Sequence, residues 1–521
     1  MPTHPAHRSG KPALTMVAAL LGLFIALLDV TVVTVALPTM GTDLDASFSD
    51  LEWVANAYML ALAVFIVTAG RLGDLYGQRR IYVIGVVVFL AGSLVCGAAG
   101  ELAPFGWSHI TTLHAGRVVQ GVGGAVIMPL TLAIVYSSFE GRARALGIML
   151  WGAVGGLATA LGPLIGGVLV DHVGWEWIFL VNLPIGLVVV VAALGIKDTR
   201  RDFGPRRPPL DVAGLLTVSG SLLCLNLALI NGADWGWTSG RELALFGGSA
   251  LLLCGFLTVE SRSAAPIMNL AWFRRPSFGG SVTAGFLLGA GMFSTMFYLS
   301  IYLQSGLGLT ALETGVRLLP LTLMLIVGAP LGGKLSARLG MRGAMAVAFA
   351  LMAVGIASFT LTDPAGDPGS WTRLLPGLLI TGLTLGILMP VSSELTVAAA
   401  PQDQVGVAAS AGTMFRQVGN AVGVAIMGAL MSTQTDAATE EIERLAARGT
   451  LTTERADALR QSAITDGLDH GSWFAAAVTL AAALVVVLFV RNLPRTPGTK
   501  APADAGPASA AEVAVSDSGR P

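Results

Sequence analysis

The chain has 521 residues, of which 54% are hydrophobic and 12% are charged, and its formal net charge is −1. A soluble domain carries about 25% charged residues, so this composition excludes an ordinary soluble protein and indicates one that crosses a membrane many times. The nearly neutral balance gives no reason to expect a nucleic-acid partner.

About fourteen apolar segments are long enough to be membrane spans, because ~20 residues cross the hydrocarbon core of a bilayer. Residues 1–12 form a short basic tail, and the first apolar run after it, ~25 residues long, exceeds the apolar part of a signal peptide. The predicted fold class is therefore an all-α polytopic membrane protein. Its predicted spans are 13–38, 52–73, 80–99, 109–135, 141–168, 175–195, 211–231, 242–260, 277–304, 313–336, 342–362, 374–399, 405–431 and 472–490.

Lys and Arg are concentrated in alternate loops, as expected if those loops are cytoplasmic. We therefore predict that both termini lie in the cytoplasm. The loop 432–471 is predicted to lie outside as two short exposed helices with i,i+3 and i,i+4 charge pairs. Its acids outnumber its bases, which would favour cations at the outer mouth, but a solvated cap is the preferred interpretation of these charges. The tail 491–521 is predicted to be disordered from its composition.

An internal repeat divides the chain. "GRLGDLYGQRR" (70–80) follows the second span and "GGKLSARLGMR" (332–342) follows the tenth, and both are Gly-rich basic turns. The repeat predicts two six-helix bundles, 13–195 and 277–490, with two inserted helices at 211–260. Repeated halves with a site at their interface are the usual design of secondary transporters.

Several motifs, in this order, resemble those of the major facilitator superfamily, and in particular of its fourteen-span drug:proton antiporters. The motifs are "LLDVTVVTVALP" (27–38), "GRLGDLYGQRR", "LHAGRVVQGVGGA" (113–125), "LGPLIGG" (161–167), "WEWIFLVNLPIG" (175–186) and "GVAASAGTMFRQVGNAVGVAI" (406–426). The chain departs from the family pattern at Thr34, where Asn is usual, and at Glu176, where Arg is usual.

The resemblance implies a major facilitator fold and a monomer that exports amphipathic, cationic drugs across the bacterial cytoplasmic membrane by alternating access. It implies proton coupling, no cofactor, no metal site and no catalytic residues. A narrow exporter of one self-made antibiotic, lipid or other metabolite remains an alternative. A membrane sensor or membrane-embedded enzyme would need a soluble domain, for which no segment is long enough.

Two charged residues of the membrane segments lie at matched predicted depth. Asp29 lies ~9 residues before the outer end of the first span and Arg117 ~8 residues after the outer start of the fourth, so both are about 12–14 Å below the outer surface. We interpret Asp29 as a titrating carboxylate with Arg117 as its partner, and a static structural pair is the alternative. Glu394 is the second candidate for proton coupling, unless it simply meets water near the inner mouth.

The resemblance also suggests residues for the substrate, for a conformational latch and for the direction of transport. The aromatic residues named below would stack on a drug, although aromatic side chains are more often interface anchors. Arg416 is a possible partner of Glu394. The positive-inside rule explains Arg80 as well as a role in a latch does. An ordinary packing kink would explain the residues of "LGPLIGG", which we call the antiporter motif, without indicating the direction of transport. The candidates are Tyr58, Phe297, Tyr298, Tyr302 and Arg416 for the substrate cavity; Gly70, Asp74, Gly77 and Arg80 for the latch; and Gly162, Pro163, Gly166 and Gly167 for the antiporter motif.

Overall fold

The computed structural model describes residues 11–101, 106–197, 211–263, 266–361, 368–401 and 404–491. Within these ranges the chain forms helices and turns and no strand. A helix satisfies every backbone hydrogen bond within its own segment, which a bilayer requires of any segment that crosses it. The N-terminal tail and the C-terminal tail predicted to be disordered lie almost wholly outside the described residues.

Fifteen α-helices follow one another in the described part. They are α1 (Pro12–Asp43), α2 (Phe48–Tyr76), α3 (Gln78–Gly97), α4 (His109–Ser138), α5 (Gly141–Val173), α6 (Trp177–Leu180), α7 (Asn182–Ala193), α8 (Val212–Trp235), α9 (Gly240–Arg262), α10 (Pro276–Leu288), α11 (Ser294–Ile301), α12 (Ala311–Ala357), α13 (Leu375–Ala398), α14 (Val405–Ala447) and α15 (Thr453–Phe489).

Eleven helices of the described part pass for membrane spans by length and hydropathy, and three local features account for the difference from fourteen. α12 holds two predicted spans, which are separated at Gly340, whose φ of 75° suits glycine. α5 is one span bent by 44° between its segments Gly141–Thr159 and Leu164–Val173. The sixth predicted span consists of the short helices α6 and α7. With these three features the helices agree with the fourteen predicted spans.

The loop 432–471 differs in form from its prediction. It is helical, as predicted, but its two helices are continuations of α14 and α15 and only residues 448–452 separate them. No Gly or Pro occurs between Met431 and Ala447, so nothing ends α14 at the membrane surface. The predicted charge pairs are present, with Arg444 Nη2 at 3.1 Å from Glu440 Oε2 and Arg460 Nη1 at 3.7 Å from Asp457 Oδ1.

The predicted span 277–304 is helical throughout but changes its winding. Two five-residue π-helical segments, 289–293 and 302–306, flank α11. The first begins at Gly289, where an added Cβ would lie 2.8 Å from the backbone nitrogen of Asn420. The missing side chain therefore lets this segment approach the backbone of α14 closely.

The first six and the last six predicted spans meet at one end of the molecule. A single hydrophobic cluster there joins Met128 and Leu130 of α4 to Phe278 of α10 and to Val405 and Val407 of α14. At the opposite end, the cluster around Val33, Met40 and Trp175 contains no described residue beyond Phe179. The contact between the two sets of helices is thus concentrated at the end that holds Asp74, which we call the latch end.

The two inserted helices, α8 and α9, pack against each other and dock beside α2 and α14. The hydroxyl of Ser219 on α8 donates a 2.9 Å hydrogen bond to the carbonyl of Val64 on α2. The hydroxyl of Ser221 donates a 3.0 Å hydrogen bond to the carbonyl of Ser249 on α9. Polar side chains therefore supplement apolar packing in joining this hairpin to the rest of the bundle.

Candidate functional site

Asp29 and Arg117 form an ion pair in the interior of the protein. The Arg117 Nη1 atom donates to Asp29 Oδ2, and the exposed fractions of the two side chains are 1% and 0%. Arg117 Nε donates a 2.9 Å hydrogen bond to the carbonyl of Val54, and the guanidinium lies 4.5 Å from the centre of the Tyr58 ring. The structure thus brings together two residues that the sequence placed at equal depth, and it adds Tyr58 to the pair.

Three further polar residues complete this network, and we found none of them from the sequence. Gln120 Nε2 donates to Asp29 Oδ1 at 2.9 Å and its Oε1 accepts from Arg117 at 2.9 Å. Asn182 Nδ2 lies 3.3 Å from the same Asp29 oxygen, and both amides reach the hydroxyl of Ser93. A signal was available, since Gln120 follows Arg117 by three residues on one helix face and Asn182 is an isolated amide in an apolar run.

Glycines of α4 allow the helices to approach closely enough for this network. A Cβ at Gly121 would lie 2.5 Å from the carbonyl oxygen of Tyr58, and a Cβ at Gly124 would lie 2.5 Å from its hydroxyl. The Tyr58 hydroxyl donates a 3.2 Å hydrogen bond to the carbonyl of Ala26, one turn from Asp29. The "GVGGA" part of the fourth-span motif therefore allows Tyr58 to pack closely against α4, next to the ion pair.

Glu394 lies elsewhere, near the latch end of α13. Its side chain is partly exposed, and the charge that acts on it is that of Arg144 on α5. Arg144 lies 4.2 Å from the centre of the Tyr136 ring and donates to the carbonyl of Phe139 at 2.7 Å. The pairing of Glu394 with Arg416 that the sequence suggested is not present in the described structure.

Arg416 lines a small polar cavity between α4, α10, α13 and α14. None of the four aromatic residues predicted for the substrate cavity lines it. Tyr298 and Tyr302 are buried in a hydrophobic cluster of the last six spans, and Phe297 is 51% exposed. The residues that line the cavity are Leu132, Ser281, Gly285, Ser392, Ser393, Thr396, Ala409, Gly412, Thr413 and Arg416.

The loop motif of residues 70–80 joins the two sets of helices at the latch end. Asp74 accepts hydrogen bonds of 2.9 Å from the backbone N–H groups of Gly406 and Val407, at the start of α14. A Cβ at Gly70 would lie 2.5 Å from the carbonyl oxygen of Gly406, so α2 and α14 touch there through backbone. Gly77 has a φ of 98° at the turn between α2 and α3, and Arg80 is exposed.

The inserted hairpin also reaches this motif. Glu260 on α9 is 4% exposed and accepts a 2.5 Å hydrogen bond from the backbone N–H of Met268. The charge of Arg71, in the loop motif, acts on both Glu260 and Asp74. The two extra spans therefore place an acid beside the latch, a feature that we did not predict from the sequence.

The motif "LGPLIGG" bends α5 and brings it against α1. The 44° bend lies between Thr159 and Leu164, and Pro163 within that stretch removes a helical hydrogen bond. A Cβ at Gly162 would lie 2.6 Å from the Cβ of Thr31, and one at Gly166 would lie 3.0 Å from the carbonyl of Val32, whereas nothing lies within 4 Å at Gly167. Two of the three glycines therefore serve close packing on the helix that carries Asp29.

The described residues contain no group of three His, Cys, Asp or Glu side chains that would hold a metal ion. The comparisons with known proteins indicate a membrane transporter. The model of the Major Facilitator Superfamily matches residues 19–424. Among curated proteins, the chain is 36% identical to the tetracenomycin C resistance and export protein of Streptomyces glaucescens, over 82% of this chain and 77% of that protein. It is 30% identical to the multidrug transporter protein MdtP of Bacillus subtilis, over 82% of this chain and 76% of that protein.

Among solved structures, the proton:xylose symporter XylE superposes with a TM-score of 0.60 at 13% identity, covering 92% of this chain and 95% of that one. This likeness concerns the fold. By name, one relative is an antibiotic resistance and export protein and the other is a multidrug transporter, and the match to the family model covers most of the chain. The chain therefore belongs to the Major Facilitator Superfamily, in the group of antibiotic and multidrug efflux transporters.

Proposed function

We propose that this protein exports amphipathic compounds across the bacterial cytoplasmic membrane in exchange for protons, and that Asp29 carries the proton. The observation that supports the proposal most is the enclosure of Asp29. Its carboxylate has no exposed surface and is held by donors from Arg117, Gln120 and Asn182. An acid inside the membrane is costly, and in carriers such acids usually belong to ion or proton pathways.

The network gives Asp29 two chemically different environments. While the three donors surround it, the carboxylate is stabilised in its charged form. If the helices shift so that Arg117 moves away, the same carboxylate would be left in a poorly hydrated site, where the protonated form is the cheaper one. A carboxylate that alternates between these environments can take up a proton on one side and release it on the other.

The closure at the latch end supports an alternating-access cycle. The Lys- and Arg-rich loops lie on the same side as Asp74, so we assign that side, and both termini, to the cytoplasm. The described conformation would then be closed towards the cytoplasm. Opening the latch end would separate α2 from α14 and expose the cavity at Arg416 to the cytoplasm, where a substrate is loaded.

No cofactor is needed for this cycle, and the protein is proposed to act as a monomer. One proton that crosses 100 mV yields about 2.3 kcal/mol, and a tenfold uphill gradient of a neutral solute requires about 1.4 kcal/mol. One proton per substrate is therefore sufficient for modest export.

A narrow exporter of one self-made antibiotic is the second candidate. It is favoured by the similarity to a protein whose name couples resistance to a single antibiotic with its export. The similarity to a multidrug transporter favours the broad alternative. Both candidates share the transport mechanism and differ only in the number of compounds that are accepted.

The test of proton-driven export uses everted membrane vesicles and a panel of acidic, neutral and cationic amphipathic compounds. At least one compound should release protons from energised vesicles containing the wild-type chain, and the signal should vanish in Asp29→Asn. Export of that compound should stop when a protonophore collapses the gradient and continue when ATP is removed. Export that follows ATP and survives the protonophore would refute the proposal.

A further inference from the structure

The cavity at Arg416 has a chemical character of its own. We propose that it binds an anionic or acceptor-rich group of the transported compound, such as a carboxylate or an ionised phenol. This inference rests on the proposed export function and specifies the substrate class. It differs from the cationic substrate that the family resemblance implied, because the cavity supplies positive charge and hydrogen-bond donors.

The donors that the cavity offers come from two side chains. The Arg416 side chain makes no hydrogen bond or ion pair with any described residue, so its five N–H groups are available. The Ser393 hydroxyl also lines the cavity, and it makes no hydrogen bond with any described residue. Together they form a site that can donate several hydrogen bonds to one acceptor group.

The other hydroxyls of the cavity are already committed as donors. Thr396 donates to the carbonyl of Ser392 at 2.9 Å, Thr413 donates to the carbonyl of Ala409 at 2.9 Å, and Ser281 pairs with Thr396. These groups position the wall of the cavity and leave the donation to Arg416 and Ser393. A ligand group that itself only donates would find few free acceptors here beyond hydroxyl lone pairs.

The charge of Arg416 lacks a counterion in this conformation. No carboxylate lines the cavity, and among the described residues none acts on the Arg416 charge. Arg416 is about 16 Å along α14 from its first residue, Val405, which is close to the middle of the membrane. A guanidinium without a partner at that depth is costly, and an anionic ligand would offset that cost.

The cavity also lies where a transported compound must pass. Its wall combines Leu132 from the first six spans with residues from the last six, and it is adjacent to the closed latch end. Separation of the halves would therefore open it. In secondary transporters the substrate site usually lies at such an interface between the repeated halves.

The experiment uses the purified full-length chain and two anthraquinones that differ in one group. Rhein carries a carboxylate, and aloe-emodin carries a hydroxymethyl group at the same position. We expect the wild-type protein to bind rhein roughly tenfold more tightly than aloe-emodin, because a hydrogen-bonded charge is worth about 1.5–3 kcal/mol. Arg416→Gln should remove this preference by weakening rhein alone, and Arg416→Lys should retain part of it.

Two further variants complete the design. Arg142→Gln makes the same substitution at an exposed Arg at the start of α5, outside the cavity, and should keep the preference for rhein. Ser393→Ala should weaken rhein by a few fold and provides a second measurement if Arg416→Gln is not recovered folded. Equal affinities for the two compounds in the wild type, or an equal loss of both in Arg416→Gln, would overturn the inference.

The binding measurement needs no proton gradient, so it is independent of the proposed coupling. Selective rhein binding without proton-driven transport of any compound in the panel would uphold the subsite and refute the antiporter. Proton-driven transport without a preference for rhein would do the opposite.

Discussion

Asp74 and Gly406 are separated by more than three hundred residues, yet the Asp74 carboxylate accepts a 2.9 Å hydrogen bond from the Gly406 N–H group. A second bond of the same length comes from Val407, so one carboxylate occupies the N-terminus of α14. Negative charge is stabilised at a helix N-terminus because the unpaired N–H groups point towards it. This contact ties the first half of the chain to the second at the latch end.

We predict that Asp74→Asn shifts the protein towards a conformation that is open at the latch end. The neutral amide can accept one N–H bond but sets its own N–H₂ group against the other, so a charge-assisted bond worth about 1.5–3 kcal/mol is lost. Spin labels at Arg142 and Arg338, both exposed at this end, would report the separation of the halves in a cysteine-free background. A longer-distance population should appear and grow roughly tenfold relative to the wild type.

Asp43→Asn is the matched control for this change. Asp43 is an exposed acid in the last turn of α1, at the opposite end of the membrane region. Its substitution should leave the distance distribution unchanged. An unchanged distribution in Asp74→Asn as well would show that this carboxylate does not hold the latch.

The glycines of the α5 motif allow a direct test of packing against α1. A side chain at Gly162 would overlap Thr31, whereas one at Gly167 would meet open space. Gly162→Val should therefore destabilise the protein by about 1–3 kcal/mol through overpacking and reduce transport, and Gly167→Val should do neither. Thermal unfolding and vesicle transport of both variants provide the measurement, and equal effects would mean that close packing at Gly162 is not what the motif supplies.

Asn182 should tune the proton exchange of Asp29. Asn182→Leu removes one donor, at 3.3 Å, from the Asp29 carboxylate, and the charged form then loses stabilisation relative to the protonated form. The pH at which transport is half-maximal should therefore move upwards. Asn226→Leu is the control, because among the described residues Asn226 on α8 donates only to the carbonyl of Leu222 in its own helix. A pH profile that is unmoved in Asn182→Leu, or moved equally in both, would contradict this role.

The spans and the depth of charged residues could be predicted from the sequence, because hydropathy and helical rise fix position along the membrane normal. Asp29 and Arg117 were paired on that basis, and the structure places them in contact. Depth does not fix the rotation of each helix. For that reason Gln120 and Asn182 were not identified, and Arg416 was considered as a possible partner of Glu394, on which the charge of Arg144 acts instead.

Two further features could not be predicted from the hydropathy pattern. The continuation of α14 beyond the membrane follows from the lack of a helix breaker before Gly449, yet hydropathy alone ends the span near Met431. The electrostatic interaction between Glu260 and Arg71 of the latch motif requires knowledge of where the inserted hairpin docks. Which helices become neighbours is decided by tertiary packing, and the apolar pattern of a fully buried helix does not encode it.

The last prediction separates a coupling role of Asp29 from a structural one. Asp29→Asn keeps the shape of the side chain and removes its charge and titration, so the variant should fold, bind substrate and lose uphill transport. Asp29→Glu should retain part of the transport with a shifted pH optimum. Arg117→Ala should also lose transport, because Asp29 would lose its cation and hold its proton at higher pH.

If the pair is only structural, either single neutral variant leaves one buried charge unpaired, at a cost of ~3–5 kcal/mol. The double variant Asp29→Asn with Arg117→Gln should then recover both expression and transport. The measurement is the yield of folded protein together with proton-coupled transport for the single variants and the double variant. A double variant that is obtained folded but shows no uphill transport is the expected outcome. Normal uphill transport by the double variant would reduce Asp29 to a structural residue and make Glu394 the leading candidate for the proton carrier.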